Sequence, residues 1–397
     1  MKVLQINVIY PYGSTGRICE GIYDMCNTNG IDCKIATSHG HKNDGVINIS
    51  SWLDNHFHNR IARTTMLEGC FSKIRTGLFL RKVSQFSPDI IHLHNIHGNY
   101  INIERLFKYI KKRGIRTIFT AHDCWAMTGY CKHFTISGCD KWKKHCESCP
   151  MKGQDPVNLF DNSRKMFAKK KKLFSDIDKL TVVTPSQWLA DLFKQSYLSD
   201  KDIKVINNGI DLSVFKPMQN DFKKRYNIEN KKIILGVAFD WGYSKGFDVF
   251  LDLANKIDTD KVIVLVGLTD AQMVDLPDNI IPIKKTNSQE ELVEIYSAAD
   301  VFFNPTREDT YPTVNMESIA CATPVVTFNT GGSPEIIDEE TGKVVFDNSV
   351  EKALELINVV CDDNSQDKSA IVEKAKKFDK NLKYKEYLDL YLNCIKE

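Results

Sequence analysis

Short apolar, β-branched runs alternate with amphipathic segments along the whole chain, and this alternation constrains the fold more than any single motif. Residues 3–9, 31–36, 90–94, 117–120 and 180–184 read as strands, and 17–28, 103–113 and 187–195 as the helices between them. Residues 204–206 close this series, and Asn207-Asn208-Gly209 marks a turn. A second series follows at 233–238, 262–266, 280–283, 301–304 and 325–328. Parallel strands need a crossover, usually a helix, so strand–helix alternation predicts α/β architecture with parallel sheets. At 397 residues the chain exceeds one core of ordinary size. Two doubly wound domains are expected, 1–210 and 211–379, joined near 208–225, with a helix at 380–397 packing back on the first.

No run approaches a membrane span. The opening stretch MKVLQINVI is interrupted by polar residues and no cleavage site follows, so it reads as a first strand in a cytosolic protein rather than a signal peptide. Charge is unevenly divided. Residues 1–210 hold 31 Lys/Arg and 18 Asp/Glu, a net +13, whereas 211–397 hold 22 and 33, a net −11. Such polarity suits a first half that meets an anionic partner, either a phospholipid surface or a lipid-pyrophosphate acceptor. Nucleic acid is not expected, because no recognition motif accompanies the charge. Basic residues interleave with apolar ones at 56–82 and again at 164–174, as in segments that lie on an anionic membrane; the alternative is a pair of solvated helix faces.

Candidate chemistry sits where strands meet helices. Gly13 and Gly16 follow the first strand, where glycines let a ligand approach the backbone or simply make a tight turn; they do not complete a dinucleotide fingerprint. His122-Asp123 follows the strand at 117–120, at the sheet edge where open α/β sheets bind ligands. The segment 122–150, HDCWAMTGYCKHFTISGCDKWKKHCESCP, holds five of the twelve cysteines. Cys131, Cys139, Cys146 and Cys149 have the number and ending (C-x-x-C) of a structural zinc site, with disulfides or free thiols as alternatives.

In the second half, Lys245 before Gly246 is placed to neutralise a diphosphate, or is a surface lysine ahead of a helix. The stretch NPTREDTYPTVNMESIACATPVVTFNTGGSPE, 304–335, reads as strand, acidic loop (Glu308-Asp309), helix, strand and glycine pair. There the amides of Thr313, Val314 and Asn315 at a helix start are expected to receive phosphate, and Glu317 ribose hydroxyls. Gly331-Gly332 is expected to open another helix.

Taken in order, these residues resemble the retaining family 4 glycosyltransferases of the GT-B fold, two Rossmann-like domains facing a central cleft. The matches run from Gly13-Ser-Thr-Gly16 through His122-Asp123, Thr184-Pro185-Ser186, Asn208-Gly-Ile-Asp211, Lys245-Gly246 and Asp309…Glu317 to Gly331-Gly-Ser-Pro-Glu335. The cysteine-rich insert and Ile91-His-Leu-His-Asn-Ile-His-Gly98 resemble a subgroup assigned to capsule, exopolysaccharide and colanic-acid synthesis.

The resemblance implies transfer of a sugar from a nucleotide diphosphate sugar to a glycan or lipid-linked acceptor, with no cofactor required for the chemistry. It places Gly13, Gly16 and Asn208 at the donor, His122 at the transferred sugar and Lys245 at the leaving diphosphate. The family's E-x7-E pair falls on Asp309 and Glu317. The first acid is thus shorter by one methylene, with Glu308 beside it as a substitute. The basic residue five positions before Lys245 is Asp240 here, for which Arg307 is the expected replacement. Two rival readings are a sugar-nucleotide epimerase of the same fold and a non-catalytic nucleotide-sugar or glycan-binding partner.

Overall fold

The computed structural model describes residues 1–39, 45–153, 158–363 and 367–396. The chain divides into two compact units, Met1–Asn207 with Lys383–Glu397, and Asn208–Leu382.

The first unit runs β1 (Lys2–Ile9), α1 (Gly13–Thr28), β2 (Asp32–His39), β3 (Val46–Asn48), α2 (Trp52–Thr65), α3 (Lys73–Phe86), β4 (Ile90–Leu93), α4 (Ile103–Arg113), β5 (Arg116–Thr120), α5 (Ser163–Ser175), β6 (Leu180–Thr184), α6 (Gln187–Lys194) and β7 (Asp202–Val205). Among its described residues, seven strands pair in parallel in the order β3-β2-β1-β4-β5-β6-β7. The pleat splits β1 between two layers. Leu4 and Ile6 pack with Phe79, Leu106, Phe107 and Phe174, and Val3 packs with Ile18 and Ile22 of α1.

Helix α4 shows how local sequence sets an element. Asn102 caps it by accepting from Arg105 N–H, and Gly114 ends it in the left-handed region. Lys111, Lys112 and Arg113 occupy the last turn, where the helix dipole favours cations. Ile103, Leu106, Phe107 and Ile110, spaced i, i+3, i+4, i+7, are buried, each stabilising the unit by about 1.5–3 kcal/mol.

The second unit runs α7 (Phe222–Arg225), β8 (Lys232–Val237), α8 (Phe247–Ala254), β9 (Lys261–Val266), β10 (Ile280–Ile283), α9 (Gln289–Ala298), β11 (Val301–Asn304), α10 (Thr313–Ala320), β12 (Val325–Phe328), β13 (Gly342–Val345), α11 (Val350–Asp362) and α12 (Lys368–Ala375). Among its described residues, six parallel strands follow the order β10-β9-β8-β11-β12-β13. A last helix, α13 (Lys380–Lys396), enters the first unit from Lys383, where Tyr384, Tyr387, Leu388 and Tyr391 are buried against Val3, Ile90 and Ile118.

In each sheet the strand order reverses beside its first strand, between β1 and β4 and between β8 and β11. The carboxyl ends of those strands are the switch points at which doubly wound sheets take ligands. Two expectations need correcting. Gly331-Gly332 opens only a single 3-10 turn, Pro334–Ile336, because Pro334 is followed within three residues by extended backbone at Ile337. The basic stretch 164–174 does not turn its apolar residues outward either, although Arg164, Lys165, Lys171 and Lys172 are exposed. It lies in α5, whose Met166, Phe167, Leu173 and Phe174 are buried, together with Lys170.

Candidate functional site

In the second unit, three loops at the carboxyl edge of the sheet are fastened backbone to backbone. Arg307 N–H donates to Ser244 O at 2.8 Å, tying the β11–α10 loop to the β8–α8 corner. Gly246 and Gly331 both have positive φ, and a Cβ on either would strike main chain, at Pro305 O (2.6 Å) and Asp309 O (1.8 Å) respectively. Glycine is required at both positions for the loops to approach this closely.

The loops converge on Lys245. Its Nζ lies 2.7 Å from Oδ2 of Asp309, 3.4 Å from Glu308 O and 3.5 Å from Thr306 Oγ1. Pro312 is extended and caps α10, so the N–H groups of Thr313, Val314 and Asn315 start a helix and lack intrahelical partners. Asn315 is fully buried; its Oδ1 accepts from Asn304 Nδ2 at 2.8 Å, and its Nδ2 has no partner. A buried donor left unpaired costs about 1–3 kcal/mol, and such groups concentrate where a ligand or water completes the bonding. Glu317 is half-buried two residues on, accepting from Tyr296 OH at 3.2 Å. Asn208 Nδ2 donates to Tyr311 O in the same loop at 3.4 Å. Lys245, Glu308, Asp309, Thr313–Asn315, Glu317, Asn208, Gly331 and Gly332 thus belong to one edge of one unit.

Arg307 is placed differently from expectation. Its guanidinium makes a two-pronged pair with Asp248, 2.7 Å at each oxygen, donates to Tyr243 O at 2.6 Å and stacks 3.9 Å from the Tyr243 ring. These bonds use three of its five N–H donors, and they brace the β8–α8 corner.

The first unit gathers His122, Gly13 and Gly16 at its own switch point. Gly13 opens α1, and Asn7 ties this corner to β4 by donating to Ile9 O (2.9 Å) and accepting from Asn95 N–H (3.3 Å). His122, just past β5, lies 3.1 Å from His94 Nδ1 through Nε2; His94 Nε2 lies 3.2 Å from Gln5 Oε1, and Gln5 Nε2 donates to Cys19 O at 3.0 Å. Because the Gln5 amide nitrogen is committed to Cys19, its oxygen accepts from His94 Nε2–H. His94 Nδ1 then accepts from His122 Nε2–H, which leaves the lone pair of His122 on Nδ1. Burial, reinforced by His97, lowers the His122 pKa to about 4, and burial likewise holds His94 well below its usual range. The imidazole at the site is therefore neutral at pH 7. His97 Nε2 pairs with Asp123 Oδ2 at 3.0 Å; burial opposes the Asp123 charge, but His97 and the Trp125 N–H hold the carboxyl far below its ordinary pKa.

Gln5 escaped the sequence reading, and His94 stood in it only as part of the 91–98 motif, with no role assigned. The signal available was a polar residue in mid-strand: Gln5 and His92 both break apolar runs and are wholly buried. His92 is held by Tyr391 OH (2.5 Å) and Thr120 Oγ1 (2.7 Å), so the C-terminal helix reaches the back of this cluster.

Cys131 has Cys139, Cys146 and Cys149 as its electrostatic neighbours, so the four expected cysteines share one region of the insert. Among the described residues no three His, Cys, Asp or Glu side chains converge to hold a metal. Cys146 Sγ accepts from Gly129 N–H at 3.1 Å, and all twelve cysteines are thiols. Cys131 and Cys149 are hydrogen-bonded to each other, which lowers the Cys149 thiol to about 7 and raises its partner. Lys170, Trp125 and Glu68 pin the insert instead: Lys170 Nζ donates to Trp125 O and sits 4.0 Å from its ring, while Trp125 Nε1 donates to Glu68 at 2.6 Å.

Comparison with known proteins follows the same two-part division. Residues 29–214 match the family described as Glycosyltransferase Family 4, and 218–381 match Glycosyl transferases group 1. The Escherichia coli K12 protein assigned to colanic acid biosynthesis as a glycosyl transferase, WcaC, is 25% identical over 287 residues, which cover 68% of this chain and 67% of WcaC. Sucrose-phosphate synthase from Thermosynechococcus elongatus superposes over 99% of both chains with a TM-score of 0.72 at 16% identity. Anabaena HepE, solved in complex with UDP-glucose, superposes over 98% of this chain and 99% of its own with a TM-score of 0.66 at 13% identity. These likenesses identify the fold as GT-B.

Proposed function

The chain belongs to the group 1, family 4 glycosyltransferases, and from that premise we propose that it moves a sugar from a nucleoside diphosphate sugar to an acceptor hydroxyl, with retention of anomeric configuration, in the synthesis of a surface polysaccharide. The observation that carries this reading is the Lys245–Asp309 pair set beside the open amides of α10. Breaking the bond between anomeric carbon and phosphate oxygen leaves positive charge on the sugar and negative charge on the diphosphate. Lys245 and the N–H groups of Thr313–Asn315 are fixed donors for the second charge, and such preorganised groups are the largest source of rate enhancement in many enzymes. We take them to supply that stabilisation without a metal ion.

The acceptor oxygen attacks from the face the diphosphate leaves, and its proton passes to the departing phosphate oxygen, so no protein nucleophile is required. Glu317 accepts from the donor ribose, and His122, neutral at pH 7, contacts the transferred sugar. HepE binds UDP-glucose, which puts UDP-sugars first among the donors. The acceptor is a glycan or a lipid-pyrophosphate-linked saccharide at the cytoplasmic face of the membrane, in keeping with the net +13 of residues 1–210.

The test is thermal unfolding of the full chain with UDP-, GDP- and ADP-sugars, followed by turnover of whichever stabilises it. A ligand present at 100 times its Kd adds about 2.7 kcal/mol. One nucleotide class should raise Tm, and the rise should vanish in Lys245→Ala. No shift with any donor overturns the reading. Binding without turnover on any glycan or lipid-linked acceptor would favour a non-catalytic partner, and inversion of a sugar centre without acceptor would favour an epimerase.

A further inference from the structure

Helix α2 buries the wrong face for an ordinary surface helix. Its inward side carries Asn55 and His58 beside Ala62, with Asn55 Nδ2 donating to Ser38 Oγ at 3.0 Å and His58 bonded to Ser72 Oγ at 2.7 Å and to Phe71 N–H at 3.3 Å. Its outward side carries Trp52, Leu53 and Phe57, which are 70, 72 and 66% exposed. At 100° per residue these three fall with Arg60 and Arg63 within about 160° of arc, and the helix's one carboxylate, Asp54, lies outside it. The apolar surface continues beyond the helix. Leu159 and Phe160 donate their N–H groups to Thr64 O at the end of α2 and are 64 and 59% exposed. On the same helix, His56, Asn59, Arg60, Arg63 and Thr64 line a shallow depression.

Five large apolar side chains exposed along α2 and at its C-terminal end mark an interaction surface. We propose that this face of α2, with Leu159 and Phe160, docks the first unit on an anionic phospholipid bilayer. Trp52, Leu53, Phe57, Leu159 and Phe160 enter the boundary between headgroups and acyl chains, where amphipathic aromatic rings are favoured. Arg60 and Arg63 meet the lipid phosphates, and the excess positive charge of residues 1–210 draws the unit to the surface. Charge selects this occupant: a second copy would bring the same arginines face to face, whereas a phosphate layer complements them. The proposal adds to the transferase reading without resting on it, because docking is measurable with no sugar donor present.

Trp52 is the one well-exposed tryptophan of five; Trp125, Trp142 and Trp241 are buried and Trp188 is half-buried. The full chain is mixed with vesicles of phosphatidylcholine alone, or of phosphatidylcholine with one-quarter phosphatidylglycerol. Co-sedimentation should favour the anionic vesicles by about tenfold or more and weaken with salt. Tryptophan emission should shift to the blue with them, and Trp52→Phe should abolish that shift. Leu53→Ser with Phe57→Ser, and separately Arg60→Glu with Arg63→Glu, should each lower binding about tenfold or more while melting at the wild-type temperature. Phe346→Ser, an exposed apolar change in the second unit, should leave binding intact. Three results would each overturn the proposal: no binding of wild type to anionic vesicles, full binding by either double variant, or equal affinity for neutral and anionic vesicles. A wild-type dimer that Leu53→Ser with Phe57→Ser renders monomeric, with no vesicle binding, would assign the face to a second copy instead.

Discussion

The ammonium of Lys245 and the carboxylate of Asp309 are held 2.7 Å apart at the carboxyl edge of the second sheet, both partly open to solvent. An ion pair so exposed contributes about 0–1 kcal/mol, little enough for an arriving diphosphate to displace the carboxylate from the lysine. Asp309→Asn should therefore tighten UDP binding up to about fivefold while lowering kcat, and Lys245→Ala should weaken binding and lower kcat by about 10²–10³-fold. Calorimetry with UDP and initial rates with the preferred donor separate the two effects. Weaker UDP binding in Asp309→Asn would show that the carboxylate organises the diphosphate site instead of competing for it.

His122 belongs to the first unit and Lys245 to the second. His122→Ala should lower kcat/KM about 10–100-fold, the worth of one hydrogen bond to a developing transition state, while leaving the Kd for UDP within about twofold. A large loss of UDP affinity would move His122 from the transferred sugar to the nucleotide.

Arg307 is committed to Asp248 and Tyr243. Arg307→Ala should cost about 1–2 kcal/mol of stability, seen as a lower Tm, with UDP affinity changed less than about twofold. A tenfold loss of donor affinity at unchanged Tm would restore it as a diphosphate ligand.

Gly331 touches the backbone of Asp309 with φ of +56°. Gly331→Ala should cost about 1–3 kcal/mol and abolish the donor-induced thermal shift, because the added methyl pushes Asp309 away from Lys245. Retention of the shift would mean that the loop contact is dispensable for binding.

Burial lowers His58 and His122 to about 4 and His92 to about 3. The unfolded chain, with histidines near 6.5, binds protons first as pH falls, so stability is complete above about 6.5 and is lost progressively toward pH 4. Each such histidine should cost about 2 kcal/mol by pH 5, and melting curves at pH 7.5 and 5.0 would register the sum. His92→Gln should flatten the dependence. An equal slope in that variant would assign the acid sensitivity to other groups.

Much of this protein was legible from the chain alone. The strand runs and the Asp309–Glu317 spacing are local: a period of two, a cap or a helix start is written within a few residues. The edge strands β3 and β13 were missed because three or four residues carry too little periodicity to be distinguished from a turn. Tertiary structure alone decided which polar groups find each other. Arg307 meets Asp248, a partner no local pattern announces, and His122 draws its orientation from Gln5 through His94, contacts spanning 28 and 89 residues. Likewise, which side of α2 is buried follows from Ser38 and Ser72, which supply partners for Asn55 and His58 and leave Trp52, Leu53 and Phe57 outside. Hydrophobic order along a helix names two faces. Only the partners available across the fold determine which of them turns inward, because a buried polar group must be satisfied and an exposed apolar one need not be.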